Sequence, residues 1–517
     1  MQLHSFPGGL RLPGHKAESR AGGLQAIPAP PVLRLALQQH AGPPSQPCVA
    51  PGDRVARGEC VARADGEFSV DLHAPRAGRV QAIEPGDPSA PPGRQGAHLV
   101  LACEGGDAVA PWPALDPATA APDALRERIR AAGLVGLGGA GFPTAEKLSV
   151  GRELLVLNGA ECEPWISCDD ALLRHHADEV VRGGRLMARI VGAPRVLLAV
   201  EDSMPEALAA ARAACAAHGD GVVGAVAVPT IYPEGGERQL IRVLTGREVP
   251  RGGLPRDVGV IVQNVATARA AWRAVVHGEP LLERIVTLTG PGVARPGNFI
   301  VPLGTPVEWL VQQAGGYTPA ARRLLLGGPM MGLALPHDGF AIGKPDNCVL
   351  VLGEADLRPA GDEMPCIRCG DCASACPARL LPQQLLWQVR ADRLDDAQEQ
   401  GLFDCIECGC CDLACPSHIP LTAHFRHGKS AVRLRAAEAD RADAARARHE
   451  SRLQRLQRES DEREQRLAER RAGAASADAV AAALERARAR RASGGEAGPG
   501  AGAPDDDGAG THRGTDA

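Results

Sequence analysis

Aromatic residues are scarce in this sequence, which has 7 Phe, 5 Trp and 2 Tyr among 517 residues. Apolar runs of about 18 residues are missing as well, so we predict no membrane-spanning helix. A basic excess is also lacking: 57 Lys and Arg stand against 62 Asp and Glu, a net charge of -5, and nucleic acid is therefore not an expected partner. The chain is instead rich in turn-forming residues, with 61 Gly and 43 Pro, and its length predicts several domains joined by loops.

Cysteine is abundant, with 16 residues. The first residues, MQLHSFPGGLRLPGHK, lack a basic segment followed by an apolar one, so we expect no secretory signal and a reducing, cytosolic compartment. Because thiols stay reduced in such a compartment, these cysteines predict metal ligands rather than disulfides.

Residues 1–115 predict a β-rich domain, because short Val and Ala runs alternate with Pro and Gly turns. Residues 47–85 resemble the barrel-sandwich hybrid of biotinyl and lipoyl domains. Those carrier domains need a lysine at a hairpin tip for covalent attachment, and this segment has no lysine there. We therefore interpret the domain as a structural or docking module.

The middle of the chain predicts a multidomain α/β architecture. In residues 116–283, amphipathic helices alternate with apolar runs, and we predict buried strands at 154–157, 196–200, 222–228 and 258–262. Residues 284–345 predict a small β-grasp-like domain of two strands, a turn at Gly304-Thr305-Pro306 and a short helix.

The strongest pattern is a doubled cysteine array, C-x2-C-x2-C-x3-C-P, in which every cysteine of the second copy has a counterpart at the same offset in the first. This is the spacing of bacterial ferredoxins, where the fourth cysteine of each array ligates the cluster of the other array. Structural zinc sites pair two CxxC knuckles, so zinc is the weaker alternative. The predicted ligands are Cys366, Cys369, Cys372 and Cys415 for one [4Fe-4S] cluster, and Cys405, Cys408, Cys411 and Cys376 for the other.

Two segments complete the C-terminal part. Residues 362–428 hold both arrays and a helix-like stretch between them, so they predict a helix-rich 2[4Fe-4S] ferredoxin-type domain in which Cys410, outside the spacing, is not a ligand. Residues 429–517 have 18 Lys or Arg, 16 Asp or Glu and no aromatic residue. Such a tail cannot build a core, and we predict a solvated charged helix at about 430–472 and disorder over about the last twenty-five residues. A basic membrane anchor is the weaker alternative.

A glycine-rich segment at 136–147 matches GxGxxG only formally, because a helix precedes it where a dinucleotide-binding fold has a strand. Dense glycines let a backbone approach a phosphate or a flat ring closely, although a plain connector is the alternative. Further on, a predicted strand ends in NGAECEP at 158–164, with two carboxylates. Because α/β proteins place ligands at strand ends, we expect a ligand site there.

Residues 4–428 resemble the RnfC family, a component of the Rnf electron-transport complex. That family is similar in its middle third to the flavin-bearing, NADH-oxidising subunit of respiratory complex I. The resemblance is carried by GLGGAGFPTAEK at 136–147, NGAECEP at 158–164, YPEGGERQL at 232–240 and QNVAT at 263–267, together with the eight-cysteine domain.

The resemblance implies an FMN site and a nicotinamide site side by side. The implied FMN-holding residues are Gly136, Gly138, Gly139, Gly141, Lys147, Asn158 and Asn264. The implied residues of the nicotinamide side are Tyr232 and Glu237 with the catalytic candidates Glu161 and Glu163. Ala160 and Ala266 depart from the complex I pattern, which has aspartate and glutamate there, so FMN contacts at these positions are not carried over. The β-grasp domain is expected to be scaffold.

A hydride carries two electrons and a [4Fe-4S] cluster passes one, so a chain that links NADH to such clusters needs a flavin. The resemblance therefore implies an NADH:ferredoxin-type oxidoreductase subunit of an ion-translocating complex. Its implied partners are the other subunits of the Rnf-type membrane complex, with ferredoxin reached indirectly, and its implied location is the cytoplasmic side of the cell inner membrane, as a peripheral protein. Two alternatives stay open: a redox-sensing adaptor that resets a regulator without NADH activity, and a soluble dehydrogenase without membrane partners.

Overall fold

The computed structural model describes residues 2–91, 93–106, 108–139, 141–218, 220–357 and 361–493. The chain divides into two compact units, residues 1–431 and residues 432–517. The predicted disordered end, residues 494–517, lies outside the described residues.

The N-terminal module consists of two small antiparallel sheets. One has the strand order β2-β8-β7-β4 and the other the order β3-β5-β6. Alternation places Leu33 and Leu35 in the core and Arg34 outside, as expected for strands that are buried on one face. The elements are α1 (Ala17–Ala21), β1 (Leu24–Ala26), β2 (Val32–Ala36), β3 (Gln46–Pro47), β4 (Arg54–Val55), β5 (Cys60–Arg63), β6 (Leu72–His73), β7 (Gly78–Glu84) and β8 (His98–Cys103).

The N-terminal segment, residues 2–26, does not join the two sheets of this module. The backbone N–H of His4 donates to the Val243 carbonyl at 2.9 Å, and Leu10 forms an antiparallel bridge with Tyr232. Strand β1 pairs in parallel with a strand of the β-grasp sheet, where Gln25 lies opposite Phe299. The N-terminal segment therefore connects domains that are far apart in the sequence.

The α/β domain is built on a four-stranded parallel sheet in the order β11-β10-β9-β12, and all four predicted strands are confirmed. Parallel pairing brings the carboxyl ends of the strands to one edge, where Asn158 of β9 lies opposite Asn264 of β12. The elements are α2 (Pro122–Ala131), α3 (Thr144–Lys147), β9 (Leu154–Gly159), α4 (Cys168–Val191), β10 (Arg195–Glu201), α5 (Pro205–His218), β11 (Val223–Val228), α6 (Glu237–Thr245), β12 (Val260–Asn264) and α7 (Val265–Trp272).

The β-grasp domain has a six-stranded mixed sheet in the order β1-β14-β13-β17-β15-β16. The two predicted strands and the short helix are confirmed, and four further strands complete the sheet. One of them, β17, lies beyond residue 345, the predicted end of the domain. Its run CVLVL is buried on both faces, because β17 lies at the centre of the sheet. The elements are β13 (Glu283–Thr289), β14 (Gly297–Pro302), α8 (Val307–Gln313), β15 (Arg323–Leu326), β16 (Leu333–Ala334) and β17 (Cys348–Leu352).

The cysteine-rich domain repeats one backbone path twice, as the doubled array predicts. Arg368 and Glu407 hold equivalent positions in the two arrays and have φ values of 60° and 58°. Gly370 and Gly409, also equivalent, both have a left-handed backbone conformation. The elements are α9 (Asp371–Ser374), α10 (Pro382–Arg390), α11 (Leu394–Glu399), α12 (Cys410–Ala414) and the long helix α13 (Leu421–Ala475).

The second unit contains most of α13 and the helix α14 (Ala477–Ala492). The predicted charged helix is therefore confirmed, and it extends slightly beyond its predicted end. Leu453 and Leu456 are about half exposed, so this stretch of helix buries little apolar surface within its own unit. Among the described residues, no helix is both long and apolar enough to cross a membrane.

We predict that a chain ending at Ala431 keeps the thermal unfolding midpoint of the full chain, because the first unit has its own core. A chain ending at Pro420 should unfold at least about 5 °C lower. It loses Phe425, which is 1% exposed, and Lys429, whose Nζ donates to the Cys405 carbonyl at 2.6 Å. Circular dichroism melts of the cofactor-loaded proteins measure both midpoints. A lower midpoint for the chain ending at Ala431 would contradict the independence of the first unit.

Candidate functional site

A cavity of about 800 Å³ lies at the carboxyl edge of the parallel sheet. Its wall includes all the residues that the resemblance assigns to the FMN and nicotinamide sites. The wall also includes two β-grasp loops, at 327–332 and 345–347, so that domain contributes to the site and is more than remote scaffold. The predicted residues in the lining are Gly136, Gly138, Gly139, Gly141, Lys147, Asn158, Glu161, Glu163, Tyr232, Glu237 and Asn264.

The glycine-rich loop leaves open space where a side chain would otherwise stand. Gly139 has a φ of 137°, and a Cβ built on it meets no atom of the described residues within 4 Å. The loop is fixed from behind, because the backbone N–H of Leu137 donates to Oγ1 of Thr267 at 2.9 Å. An anchored backbone with an empty face fits a flat ring or a phosphate, so the loop meets the steric requirement of a flavin cradle.

Two asparagines form the floor of the cavity at neighbouring strand ends. The Asn158 side chain accepts from the Ala160 N–H at 3.0 Å, and the Asn264 side chain accepts from the Ala266 N–H at 2.8 Å. Ala160 and Ala266 are the two positions that depart from the complex I pattern. Their backbone N–H groups therefore orient the side chains of the two asparagines. Asn264 also donates to the Asp169 carboxylate at 2.7 Å.

Lys147 and Glu237 form an ion pair, with Nζ and Oε1 2.6 Å apart. The resemblance assigned one residue to FMN and the other to the nicotinamide side. Their contact places the two predicted subsites in direct continuity.

Glu161 is a buried carboxylate held at the N-terminus of α4. It accepts from the backbone N–H of Asp169 at 2.9 Å and from the Cys168 thiol at 3.3 Å. Burial raises the pKa of Glu161 to about 7, and the nearby Lys16 charge opposes that shift. The site therefore holds a carboxyl group that titrates near neutral pH.

Lys16 is a site residue that the sequence analysis missed. Its ammonium group donates to the Glu161 backbone carbonyl and lies 4.0 Å from the Glu161 carboxylate. The neighbouring His15 ring stacks on Trp165, with ring centroids 4.5 Å apart. Since Lys16 and Glu161 are far apart in the sequence, no local pattern could have revealed this contact.

Glu163 is bound by backbone groups of the β-grasp domain. Its Oε1 accepts from the N–H groups of Met330 at 2.7 Å and Met331 at 3.1 Å. Burial raises the pKa of Glu163, and these two hydrogen bonds limit the rise. Glu201, at the end of β10, is a fully buried carboxylate, and burial raises its pKa to about 7.

Tyr232 connects the cavity wall with the cysteine-rich domain. Its hydroxyl donates to the Cys408 carbonyl at 2.7 Å, and its side chain is 3% exposed. Burial raises the pKa of Tyr232, and the negative charge of Glu163 adds to this effect. Ile406, which lies between Cys405 and Cys408, also lines the cavity, so the second array lies against the predicted flavin site.

The structure gathers the cysteines in the crossed sets that the spacing predicts. Four of them, Cys366, Cys369, Cys372 and Cys415, line one cavity of about 300 Å³. In the second set, the charge of Cys376 acts on the Cys405 thiol, whose pKa burial raises to about 11. Four thiol groups per set are the donors that a [4Fe-4S] cluster requires.

Cys410 is fully buried and packs with Tyr232, Ala375 and Cys408. Cys410 therefore lies at the boundary between the predicted flavin site and the second cysteine array. The Cys410 thiol also lies beside the Cys408 thiol, and the absence of Cys410 from the ligand set stays a prediction.

Four family models match the chain in the order of its domains. They are the RnfC barrel sandwich hybrid domain at 4–103, the Nuo51 FMN-binding domain at 129–273, the SLBB domain at 285–334 and the 4Fe-4S dicluster domain at 365–419. The predicted fold class is confirmed, and so are FMN and two [4Fe-4S] clusters as cofactors. The fold and the sites define a multidomain flavin and iron-sulfur electron-transfer protein.

Two relatives share one name, the C component of an ion-translocating oxidoreductase complex. The relative from Pectobacterium atrosepticum is 41% identical over 494 residues, covering 94% of this chain and 70% of the relative. The relative from Pseudomonas aeruginosa is 46% identical over 458 residues, covering 87% of this chain and 58% of the relative. The chain belongs to this RnfC family, as the resemblance predicted. It spans between 58% and 70% of the length of these curated relatives.

Among solved structures, the chain is similar to one from an NAD+-reducing [NiFe]-hydrogenase in the H2-reduced state. The sequence identity is 23% and the TM-score 0.44, over 60% of this chain and 62% of that chain. A likeness of this size supports no conclusion about the site.

We predict that Gly139→Val abolishes flavin binding, because the new side chain fills the open space on the cavity side of the loop. Flavin released from the denatured, purified protein measures the effect by its absorbance. The matched control is Gly66→Val, which places the same side chain at a φ of 87° with no described atom within 4 Å of the Cβ and no part in the cavity lining. Equal flavin content in both variants would exclude the loop from the flavin site.

We also predict that Cys376→Ala removes a ligand from the cluster of Cys405, Cys408 and Cys411 and spares the other cluster. Cys410→Ala should keep about eight irons per chain, as two four-iron clusters require. Iron analysis and low-temperature EPR of the reduced proteins distinguish the outcomes. Selective loss of the signal from the Cys366 cluster in Cys376→Ala would show that the ligand sets are not crossed.

Proposed function

We propose that this chain is the peripheral subunit through which an ion-translocating membrane complex exchanges electrons with NADH. Electrons pass between NADH and FMN in the cavity and then through two [4Fe-4S] clusters to partner subunits, with ferredoxin reached indirectly. The subunit works at the cytoplasmic side of the cell inner membrane. The described part of the chain has no helix suited to cross a membrane, so the proposal assigns ion movement to the partners.

The observation that carries the proposal is the contact between the cavity and the second cysteine array. The Tyr232 hydroxyl reaches the Cys408 carbonyl at 2.7 Å, and Ile406 belongs to the cavity wall. A flavin in the cavity would therefore have a cluster loop as its immediate neighbour. This arrangement favours an electron-transfer chain over a protein in which cofactor and clusters serve separate functions.

In this proposal, the glycine-rich loop and the two asparagines hold FMN. Gly138 packs closely on Asn264, since a Cβ built on Gly138 would lie 3.1 Å from the Asn264 Cβ. This contact fixes the distance between the backbone of the glycine-rich loop and the cavity floor. Bound FMN supplies the conversion of one two-electron transfer into two one-electron transfers. Lys147, paired with Glu237, provides the cation at the junction of the two subsites.

The buried carboxylates Glu161 and Glu163 act on the nicotinamide side. As a hydride leaves NADH, the nicotinamide ring becomes positively charged. An ionised carboxylate in a site of low polarity stabilises that developing charge strongly. The backbone N–H groups that hold both carboxylates keep them in place, and the Lys16 ammonium favours the ionised form of Glu161.

The two cysteine arrays take different places in the route. The second array lies against the cavity, and Cys408 and Cys411 are buried. The first array lies at the surface, where Cys369 is exposed and the neighbouring Ile367 side chain is 67% exposed. The cluster of the second array is therefore the partner of the flavin, and the cluster of the first array exchanges electrons with the next subunit.

The redox-sensing adaptor is the competing function. It needs the clusters but neither a flavin nor buried acidic groups beside one. The flavin-sized cavity and its two carboxylates favour the NADH-dependent function. Bleaching of the bound flavin by NADH under anaerobic conditions tests the proposal, and a flavin that NADH leaves oxidised would support the adaptor.

We predict that Glu163→Gln slows flavin reduction by NADH at least about tenfold, a loss of about 1.4 kcal/mol of transition-state stabilisation. Glutamine keeps an Oε1 acceptor for the Met330 and Met331 N–H groups and removes the charge. Flavin content and reduction by dithionite should be unchanged, because neither needs the nicotinamide side. Stopped-flow absorbance at the flavin band measures the rate.

The matched control is Glu201→Gln, which removes a buried carboxylate that is not part of the cavity lining. Its rate with NADH should stay near that of the unmodified chain. Loss of flavin from Glu163→Gln, or equal rates for the two variants, would contradict the role proposed for Glu163.

A further inference from the structure

A second cluster of potential ligands lies in the N-terminal module, separate from the flavin cavity and from both cysteine arrays. Cys60 begins strand β5, and His73 lies opposite it at the end of β6. Asp71 precedes β6. A thiol sulfur, a carboxylate oxygen and an imidazole nitrogen of these residues all lie within 4.8 Å of one another.

His73 is the strongest indication of a ligand. Its side chain is 1% exposed, and its Nδ1 has no hydrogen-bond partner among the described residues. The ring packs edge-on against Trp112, with centroids 5.2 Å apart. Because leaving a buried nitrogen without a partner costs its full desolvation penalty, an imidazole in this position calls for a partner.

Asp71 is oriented as a ligand would be. Its Oδ1 accepts from the backbone N–H of Ala64 at 2.8 Å, which fixes the carboxylate. Lys344 donates to the backbone carbonyls of Asp71 at 2.7 Å and of Gly133 at 2.8 Å, which fixes the backbone at the same residue. Hydrogen bonds of this kind to ligand residues hold metal sites in shape.

Both negatively and positively charged groups surround the cluster. A Cys60 thiolate and the Asp71 carboxylate would balance the charge of a divalent ion. Lys344 and Arg63 are the cations that face His73. The Lys344 ammonium is occupied by two backbone carbonyls.

We propose that Cys60, Asp71 and His73 bind a zinc ion. Mixed sulfur, nitrogen and oxygen donors are typical of Zn²⁺. In a tetrahedral zinc site, ligand atoms lie about 3.3 to 3.6 Å apart, as follows from bonds of about 2.0 to 2.3 Å. The separations of up to 4.8 Å therefore need side-chain shifts of about 1 Å. Cys60 and Asp71 are only partly buried, so water can supply the fourth ligand.

A zinc ion here would stabilise a junction of three domains. Asp71 belongs to the N-terminal module, Gly133 to the α/β domain and Lys344 to the β-grasp domain. Fixing Asp71 through a metal would fix the carbonyl that Lys344 binds. We therefore expect zinc to raise the thermal unfolding midpoint of the full chain.

The test uses the anaerobically purified full chain with its clusters and flavin in place, and Zn²⁺ as the probe. The unmodified chain should bind one zinc per chain in addition to iron, as measured by elemental analysis after dialysis. Zinc should protect Cys60 from alkylation, as read by peptide mass spectrometry. Cys60→Ser and His73→Gln should each lose that zinc and the gain in unfolding midpoint, with iron and flavin contents unchanged.

The control variant is Cys103→Ser, which removes a partly buried thiol of the same module outside the cluster, and it should bind zinc like the unmodified chain. The proposal would be overturned if the unmodified chain retains no zinc, if His73→Gln and the control bind equal zinc, or if Cys60 is alkylated equally with and without zinc. A disulfide between Cys60 and Cys48, whose thiol donates to the Cys60 carbonyl at 3.3 Å, would also overturn it.

Discussion

Burial of negative charge at the carboxyl edge of the parallel sheet is the constraint on which the site depends. A buried carboxylate is tolerated only with partners, and the partners here come from different domains. Glu161 takes its partners from α4 and from Lys16 of the N-terminal segment. Glu163 takes its partners from the Met330 loop of the β-grasp domain. The cavity is therefore complete only when three parts of the chain have come together, which explains why the N-terminal segment and the β-grasp loops pack where they do.

The same edge of the sheet also brings the predicted flavin site next to the second cysteine array. Tyr232 follows the sheet edge in the YPEGG segment, and its hydroxyl bonds to the backbone of the second array. Two arrays with the same sequence pattern thereby acquire different surroundings. The second array is largely buried beside the cavity, where Cys410 lies at the contact with the cavity wall. The first array is exposed at Cys369. Their internal repeat makes the two loops alike, and their position relative to Tyr232 makes them unequal.

The N-terminal module takes part in this assembly, although it lacks the lysine of a carrier domain. Its Asp71 carbonyl shares the Lys344 ammonium with Gly133, so one buried cation holds three domains at one point. Burial lowers the pKa of Lys344 to about 7. The hydrogen bonds that Lys344 donates offset part of that cost. These contacts give the module a structural part in the assembly, and its interpretation as a structural or docking module stays a prediction.

The local features of this protein follow from its sequence alone. Thiolate spacing on a tight loop is set by the cluster, so Cys366 and Cys405 mark their arrays without any tertiary information. Buried parallel strands need continuous apolar runs, so all four strands of the α/β sheet could be predicted, and Asn158 with them. The contacts between distant residues depend on the folded chain: Lys16 with Glu161, Tyr232 with Cys408, and β1 with the β-grasp sheet. These contacts join residues that are far apart in the sequence. The free energy that forms them comes from packing and from the hydrogen bonds and ion pairs of buried polar groups, which leave no periodic trace in the sequence.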